Sequence, residues 1–148
     1  SETKNRFGPH LFDKNSITAF YNDSADRIGY VAVDTETNDL IAYSIIKIGF
    51  LEHDRTRLES YGFVLDHNHD CTFAPSVADA WQGCGIGSQL FNYIITDLKS
   101  KAISRVILWG GVQVTNERAV AYYRKLGFKT LGLFQYNGEN YDMSFDII

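Results

Sequence analysis

Val77-Ala-Asp-Ala-Trp-Gln-Gly-Cys-Gly-Ile-Gly-Ser88 decides how this chain is read, because a strand ends and a helix begins within it. Upstream, Thr72–Ala78 has the composition of a strand, with Pro75 inside it. Proline has no N–H to give to a ladder, so this strand needs an irregularity or an unpaired side at that point. Downstream, Ile86, Leu90, Phe91, Ile94, Ile95, Leu98 and Ala102 recur at helical spacing and make one broad apolar face. Lys99 and Lys101 fall in the last turn, where cations suit the helix dipole. Between strand and helix, Gly83, Gly85 and Gly87 let the backbone take positive φ and come close to a ligand. A helix N-terminus offers unpaired N–H groups and roughly half a positive charge, so the loop suits a phosphate-bearing ligand. It lacks the Lys-Ser/Thr ending of a nucleoside-triphosphate loop and the wider final spacing of a dinucleotide fingerprint. Taken alone, it also reads as a glycine-rich turn that holds no ligand.

Outward from this segment, the N-terminal side turns to strand patterning. Ile28–Val33 and Leu40–Phe50 are rich in β-branched and aromatic residues, and the turn chemistry of Asp34–Asp39 joins them as an antiparallel hairpin. Glu52–Arg57 is polar, Leu58–Leu65 is read as a further strand, and Asp66–Asp70 as a polar turn. On the C-terminal side, Arg105–Trp109 is a buried-type strand ended by Gly110 and Gly111. Asn116–Leu126 is a second helix, with Ala119, Tyr122, Tyr123 and Leu126 on its spacing and Gly127 as its stop. Phe128–Tyr136 and Asn140–Ile148 close the chain as two strands around Asn137–Glu139. Residues 1–27 yield only a turn at Gly8-Pro9 and a short helix over Ser16–Tyr21. The order of strands, helix, strand, helix and strands predicts a mixed sheet with helices packed on it, in the α/β to α+β range.

With 148 residues, 45% hydrophobic and 22% charged, the chain has the make-up of one soluble globular domain, 1–148. Ten Phe, nine Tyr and two Trp suffice for a substantial core or an aromatic-lined pocket. A net charge of −4 without any basic stripe argues against a nucleic-acid partner. The longest apolar stretch, Leu40–Ile46, is broken by Tyr43 and Ser44 and is too short to cross a bilayer, so no membrane partner is expected. No secretory leader is visible, and Cys71 and Cys84 make neither a disulfide framework nor a metal spacing. A cytoplasmic location follows as the expectation, and the sequon Asn22–Ser24 would matter only in a secreted protein. His67 and His69 would share a face if extended, but a solvated polar turn is the better reading, and no metal is expected.

Gln82-x-x-Gly85-x-Gly87, followed one helix and one strand later by Asn116-x-x-Ala119-x-x-x-Tyr123 and Gly127-Phe128, resembles the GCN5-related N-acetyltransferase (GNAT) superfamily. The resemblance covers roughly residues 28–148. It implies a central mixed, mostly antiparallel sheet flanked by helices and splayed at the cofactor strand, and an acetyl-CoA-dependent N-acetyltransferase that uses no metal. The loop amides from Gly83 through Cys84, Gly85, Ile86 and Gly87 to Ser88 would grip the coenzyme A pyrophosphate, with Gln82 shaping the turn. Backbone groups of Val77, Ala78 and Asp79 would pair with the pantetheine amides and the acyl carbonyl. Asn116 would offer its side chain to the cofactor, or serve as an ordinary helix N-cap. Ala119 would leave the cofactor room, and Arg118 and Lys125 would meet its phosphates or simply be solvated. Tyr123 is the candidate general acid for the departing thiolate, and Tyr122 beside it reads as a core tyrosine. The acceptor is a small-molecule or protein amine. Homodimerisation through Phe134–Tyr136 or Tyr141–Phe145 is also consistent with the family.

The chain departs from the family pattern in three places. Cys84 stands where a basic residue is common. Thr72, in Cys71-Thr-Phe-Ala74, stands where many relatives carry a catalytic Glu, which leaves Glu59, Asp79, His69 or a water chain to act as base. Residues 1–27 are short for the strand and two helices with which relatives usually open. The apparent insertion Glu52–Asp70 is expected to border the acceptor pocket. Two other readings stand beside the enzyme: a catalytically silent acyl-CoA sensor, which Thr72 favours, and a nucleotide-binding module.

Overall fold

The computed structural model describes residues 26–77 and 82–147. Its elements are β1 (Arg27–Val33), β2 (Leu40–Ile48), a 3₁₀ turn (Glu52–Asp54), α1 (Arg55–Glu59), β3 (Asp70–Val77), α2 (Ile86–Ser100), β4 (Arg105–Leu108), β5 (Val112–Gln113), α3 (Glu117–Leu126), β6 (Lys129–Gln135) and β7 (Glu139–Asp146). The helix expected over Ser16–Tyr21 lies outside the described residues. The strands form one sheet in the order β1-β2-β3-β4-β7-β5, with β6 also paired to β7. Only β3 and β4 run parallel, so the sheet is mixed and mostly antiparallel, as expected.

Two features of this sheet shape the site. First, β3 pairs with β2 along its whole length, from Ile48↔Cys71 to Ala42↔Val77, but with β4 only from Asp70↔Arg105 to Phe73↔Leu108. The last link across is Trp109 N–H to the Phe73 carbonyl, 2.9 Å. Beyond it the two strands part. Second, β7 holds β4 through Ser144–Asp146 and β5 through Asn140–Tyr141 on one side, while β6 lies along the other. The break between β4 and β5 falls at Gly110 and Gly111, whose φ values are +68° and +65°.

Pro75 explains why the parting costs so little. In a strand each residue turns both its N–H and its C=O to the same side, and neighbours alternate. Phe73 gives its carbonyl to β4, so Pro75 and Val77, two and four residues on, also face β4, while Ala74 and Ser76 face β2. The N–H that proline lacks is therefore one the β2–β3 ladder never needed.

The main core lies between the sheet and helices α2 and α3. Leu90, Phe91, Ile94 and Leu98 form the buried face of α2, as the spacing predicts. Phe73, Phe91 and Phe128 meet at ring separations of 5.4, 6.2 and 5.6 Å, and each such side chain contributes about 1.5–3 kcal/mol by leaving water. Ala102 departs from expectation: α2 stops at Ser100, and Ala102 is exposed in a left-handed turn with φ +62°. Gly127, at φ +109°, ends α3 as its position requires.

The strand expected over Leu58–Leu65 is not formed. In its place stand the short helix α1 and turns, held by contacts far away in sequence. Arg57 makes a two-point ion pair with Asp142 of β7, Nε–Oδ2 2.7 Å and Nη2–Oδ1 3.1 Å, and a 2.8 Å bond to Asp54. Tyr61 donates its hydroxyl to Asp142 at 2.6 Å. Leu58 is fully buried beneath them.

Candidate active site

An open cleft of about 1380 Å³ runs from the gap between β3 and β4 across the glycine loop to α3. One wall is Phe73–Ser76 of β3, and the facing wall is Leu108–Gln113. The glycine loop contributes Gln82, Gly83, Gly85, Gly87 and Ser88. From α3 and its cap come Asn116, Arg118, Ala119, Ala121, Tyr122, Tyr123 and Lys125. Two motifs that are separate in sequence thus meet on one surface.

The loop folds as its glycines allow. Gly83 and Gly85 both sit at φ +81°, and Gly85 is the N-cap of α2 with no side chain capping the helix. A Cβ on Gly85 would meet nothing within 4 Å among the described residues, and Gly85 lines the cleft at the start of α2, where the first-turn amides have no partner within the helix. Arg118 Nη2 stands 3.9 Å from where a Cβ on Gly83 would lie. A guanidinium from α3 therefore overhangs a loop that has Cys84 in place of a basic residue. Cys84 itself is exposed and does not line the cleft. Ile86 turns partly into the core, leaving only its backbone to the loop. Val77 closes β3 with its backbone toward the gap, whereas Ala78 and Asp79 lie outside the described residues.

On α3, Asn116 caps the helix by accepting a 3.3 Å bond from Ala119 N–H through Oδ1, and it lines the cleft as well. The two roles left open by the sequence coexist. Tyr123 packs edge-on against Phe128 at 5.5 Å and reaches the same cleft. Burial, with Tyr122 adding to it, holds its phenol protonated far above the ordinary range. At neutral pH the phenol therefore carries its proton.

Tyr122 is not simply a core residue, contrary to expectation. It lines the cleft, its hydroxyl is buried without a hydrogen-bond partner among the described residues, and its ring lies against Gly87. Burial pushes its phenol up to about 12. A buried hydroxyl without a partner at the edge of a cleft fits a polar group arriving with a ligand. The open cradle at Gly85, the outward backbone of Pro75 and Val77 and this hydroxyl together fit a long ligand with amides and phosphates.

Of the residues weighed as base, Asp79 lies outside the described residues, and Glu59 and His69 do not reach the cleft. Thr72 is buried and donates its hydroxyl to the Gly49 carbonyl at 2.9 Å. Glu59 pairs with Arg55 and His69 with Asp66. His67 stacks on Phe50 at 3.9 Å with Nε2 2.8 Å from Glu52, so the two histidines of that turn take separate partners. Of the segment 52–70, it is His53, Asp54 and Arg57 that reach the cleft. Sequence reading passed over them because the ion pair that folds this segment inward spans 85 residues. No helix among the described residues is long and apolar enough to cross a membrane.

Comparison with known proteins agrees with this architecture. The model of the acetyltransferase (GNAT) family matches residues 4–128. A protein of Prochlorococcus marinus named as an uncharacterized N-acetyltransferase, ycf52-like, is 27% identical over 89 residues, covering 57% of this chain and 47% of that protein. The match thus spans about half of that relative's length. Among solved structures, a GNAT-family acetyltransferase from Streptococcus pneumoniae superposes with a TM-score of 0.69 at 20% identity, covering 93% of this chain and 78% of that one. An aminoglycoside 6'-N-acetyltransferase complexed with coenzyme A gives 0.68 at 17% identity, covering 93% and 82%. The yncA protein of Salmonella typhimurium with its cofactor acetyl-CoA gives 0.70 at 14% identity, covering 96% and 78%. At such identities the likeness is one of fold.

Proposed function

The chain belongs to the acetyltransferase (GNAT) family, and from that premise we propose that it transfers an acetyl group from acetyl-CoA to a primary amine by direct attack. The observation that carries this reading is the meeting of the glycine loop, the parted strands and Tyr123 on one cleft. When bound, acetyl-CoA supplies an activated thioester. The amides at the start of α2, with Arg118 beside them, bind its pyrophosphate. The backbone of Pro75 and Val77, turned to the gap, takes the pantetheine and acyl groups. Tyr123 donates its phenolic proton to the sulfur as the carbon–sulfur bond breaks, which makes CoA–SH the leaving group.

The acceptor is a small-molecule or protein amine entering from the side of Leu51–Arg57 and Phe134–Asn137. A cytoplasmic setting is part of the proposal. A second reading, a silent acyl-CoA sensor, is favoured by the sequestered hydroxyl of Thr72.

The test is a calorimetric titration with acetyl-CoA, using ATP and NAD as controls. A screen for CoA release follows, with an aminoglycoside, spermidine, free amino acids and a peptide with a free N-terminus. Saturable binding of acetyl-CoA alone, followed by turnover, is the expected result. Binding without turnover on any amine leaves the sensor. No binding by folded protein removes both readings.

A further inference from the structure

We propose that His53 is the general base of this site, positioned by Asp54. The proposal rests on the acetyl-transfer reading, which requires some group to take the proton that the attacking amine sheds.

His53 and Asp54 form the 3₁₀ turn before α1, and both line the cleft that Tyr123 lines. Asp54 is the single carboxylate lining it among the described residues. Asp54 is buried, and its Oδ1 takes a 2.8 Å bond from Arg57 and lies 3.5 Å from His53 Nε2. Arg57 in turn is fixed by Asp142 and stacks 3.9 Å over Phe134. Phe134 stands 2.8 Å from the position a Cβ on Gly111 would take. A continuous run of contacts, His53–Asp54–Arg57–Phe134–Gly111, thus ties the imidazole to the open end of β4, opposite Pro75.

Among the described residues, the charged side chains that line the cleft with His53 are Asp54, Arg57, Arg118 and Lys125. Asp54 and, through it, Arg57 lie on its own side, and Arg118 and Lys125 stand on α3. Glu52 next to it is engaged by Arg55 and His67. Asp54, already engaged by Arg57, stands on the Nε2 side of the ring, which leaves Nδ1 for the proton. Most of the His53 side chain, 77%, is exposed, so a proton taken up has a path to water.

The step balances as follows. The bond from amine nitrogen to carbonyl carbon forms and the carbon–sulfur bond breaks. One proton passes from the nitrogen to His53 Nδ1, and one from Tyr123 to sulfur. Solvent then relieves His53 of its proton and restores the one on Tyr123.

The experiment uses the full chain, acetyl-CoA and the amine of the screen above with the highest turnover. His53→Gln should lower kcat about 100-fold, keep acetyl-CoA affinity within twofold, and abolish the acidic limb of the kcat/KM against pH profile. Imidazole in the buffer should restore part of the rate of His53→Ala. Asp54→Asn, which loosens the ring without removing it, should lower kcat while leaving acetyl-CoA affinity within twofold of wild type. An unchanged acidic limb in His53→Gln, with wild-type turnover intact, overturns the assignment alone. Absence of wild-type turnover with acetyl-CoA bound overturns the enzymatic reading and this assignment together.

Discussion

Tyr123 and Arg118 divide the proposed chemistry between the two ends of the cleft, and each can be removed without the other. In the proposed reaction Tyr123, whose phenol keeps its proton, delivers it to the departing sulfur. Tyr123→Phe keeps the ring against Phe128 and removes only the hydroxyl. It should reduce kcat about 100-fold or more, the usual worth of a positioned acid, while calorimetry finds acetyl-CoA affinity within twofold of wild type. A fall in affinity equal to the fall in rate would make Tyr123 a binding residue instead. Arg118 is the converse case. Its guanidinium overhangs the loop at Gly83 and supplies the cation that Cys84 does not. Arg118→Ala should raise the acetyl-CoA Kd about tenfold, the effect of one lost charge-assisted contact. Desulfo-CoA should suffer equally, and adding salt should narrow the difference. A salt-independent loss would point to altered packing of α3.

At the scale of elements, Gly87 of α2 meets Tyr122 of α3 and α1 is anchored to β7 through Arg57 and Asp142, and both joints border the cleft. Tyr122 of α3 lies so close to Gly87 that an added Cβ would sit 2.7 Å from its hydroxyl and 3.1 Å from its ring. Gly87→Ala should therefore cost about 1–3 kcal/mol in denaturant unfolding, and most of that cost should vanish in Gly87→Ala/Tyr122→Leu. Additive effects in this cycle would show that the two residues do not press on each other. For α1, five residues cannot hold a helix in water unaided. Its anchor is Arg57 on buried Asp142, so Asp142→Ala should destabilise the fold by about 3 kcal/mol and weaken acceptor KM more than acetyl-CoA binding. These joints also mark where sequence reading succeeds and fails. The hairpin β1–β2, the face of α2 and the stop at Gly127 were legible because period and turn chemistry are local. For the parting of β3 from β4, Pro75 signals only an irregularity or an unpaired side, and the splaying itself is what the family resemblance implies. The strand expected over Leu58–Leu65 failed because Asp142, 85 residues from Arg57, decides that segment's conformation. Tyr122 was taken for core because helical spacing tells which face a residue occupies but not whether a partner covers its hydroxyl. His53 gave no signal at all, since one histidine in a polar stretch acquires meaning only from the wall it joins.

For the molecule as a whole, the buried phenols set a limit on the alkaline side. Tyr30, Tyr122 and Tyr123 all hold their protons above the ordinary value of 10, chiefly through burial, with Asp97 adding to it at Tyr30. Tyr61 behaves alike, pushed up to about 12 by burial and by Asp142, but it is partly exposed and counts for less. The buried thiol of Cys71 is also raised from its ordinary 9. The sign follows from which state gives up protons first. As pH climbs past 9 to 10 the unfolded chain releases these protons while the folded chain retains them, so the native state binds more protons and its stability falls with pH. The stability these groups provide is complete below pH 9 and is lost through the window from 9–10 to about 12, where Tyr122 ionises in the folded state. A fully buried phenol such as Tyr123 contributes a slope of up to about 1.4 kcal/mol per pH unit. The half-buried Tyr122 and the part-buried hydroxyl of Tyr30 contribute less. Together they are a sizeable share of a typical stability of about 5–15 kcal/mol. Thermal unfolding followed from pH 8 to 11 should therefore show a steepening fall in Tm above pH 9.5. The fall should be shallower in Tyr122→Phe and in Tyr123→Phe, and acetyl-CoA at saturation should raise every point of the curve because it binds only the folded state. A Tm independent of pH to 11 would mean that water reaches these phenols in the native state. The packing of Tyr123 against Phe128 would then not exclude solvent from its hydroxyl, although an ordinary phenol still carries its proton at neutral pH.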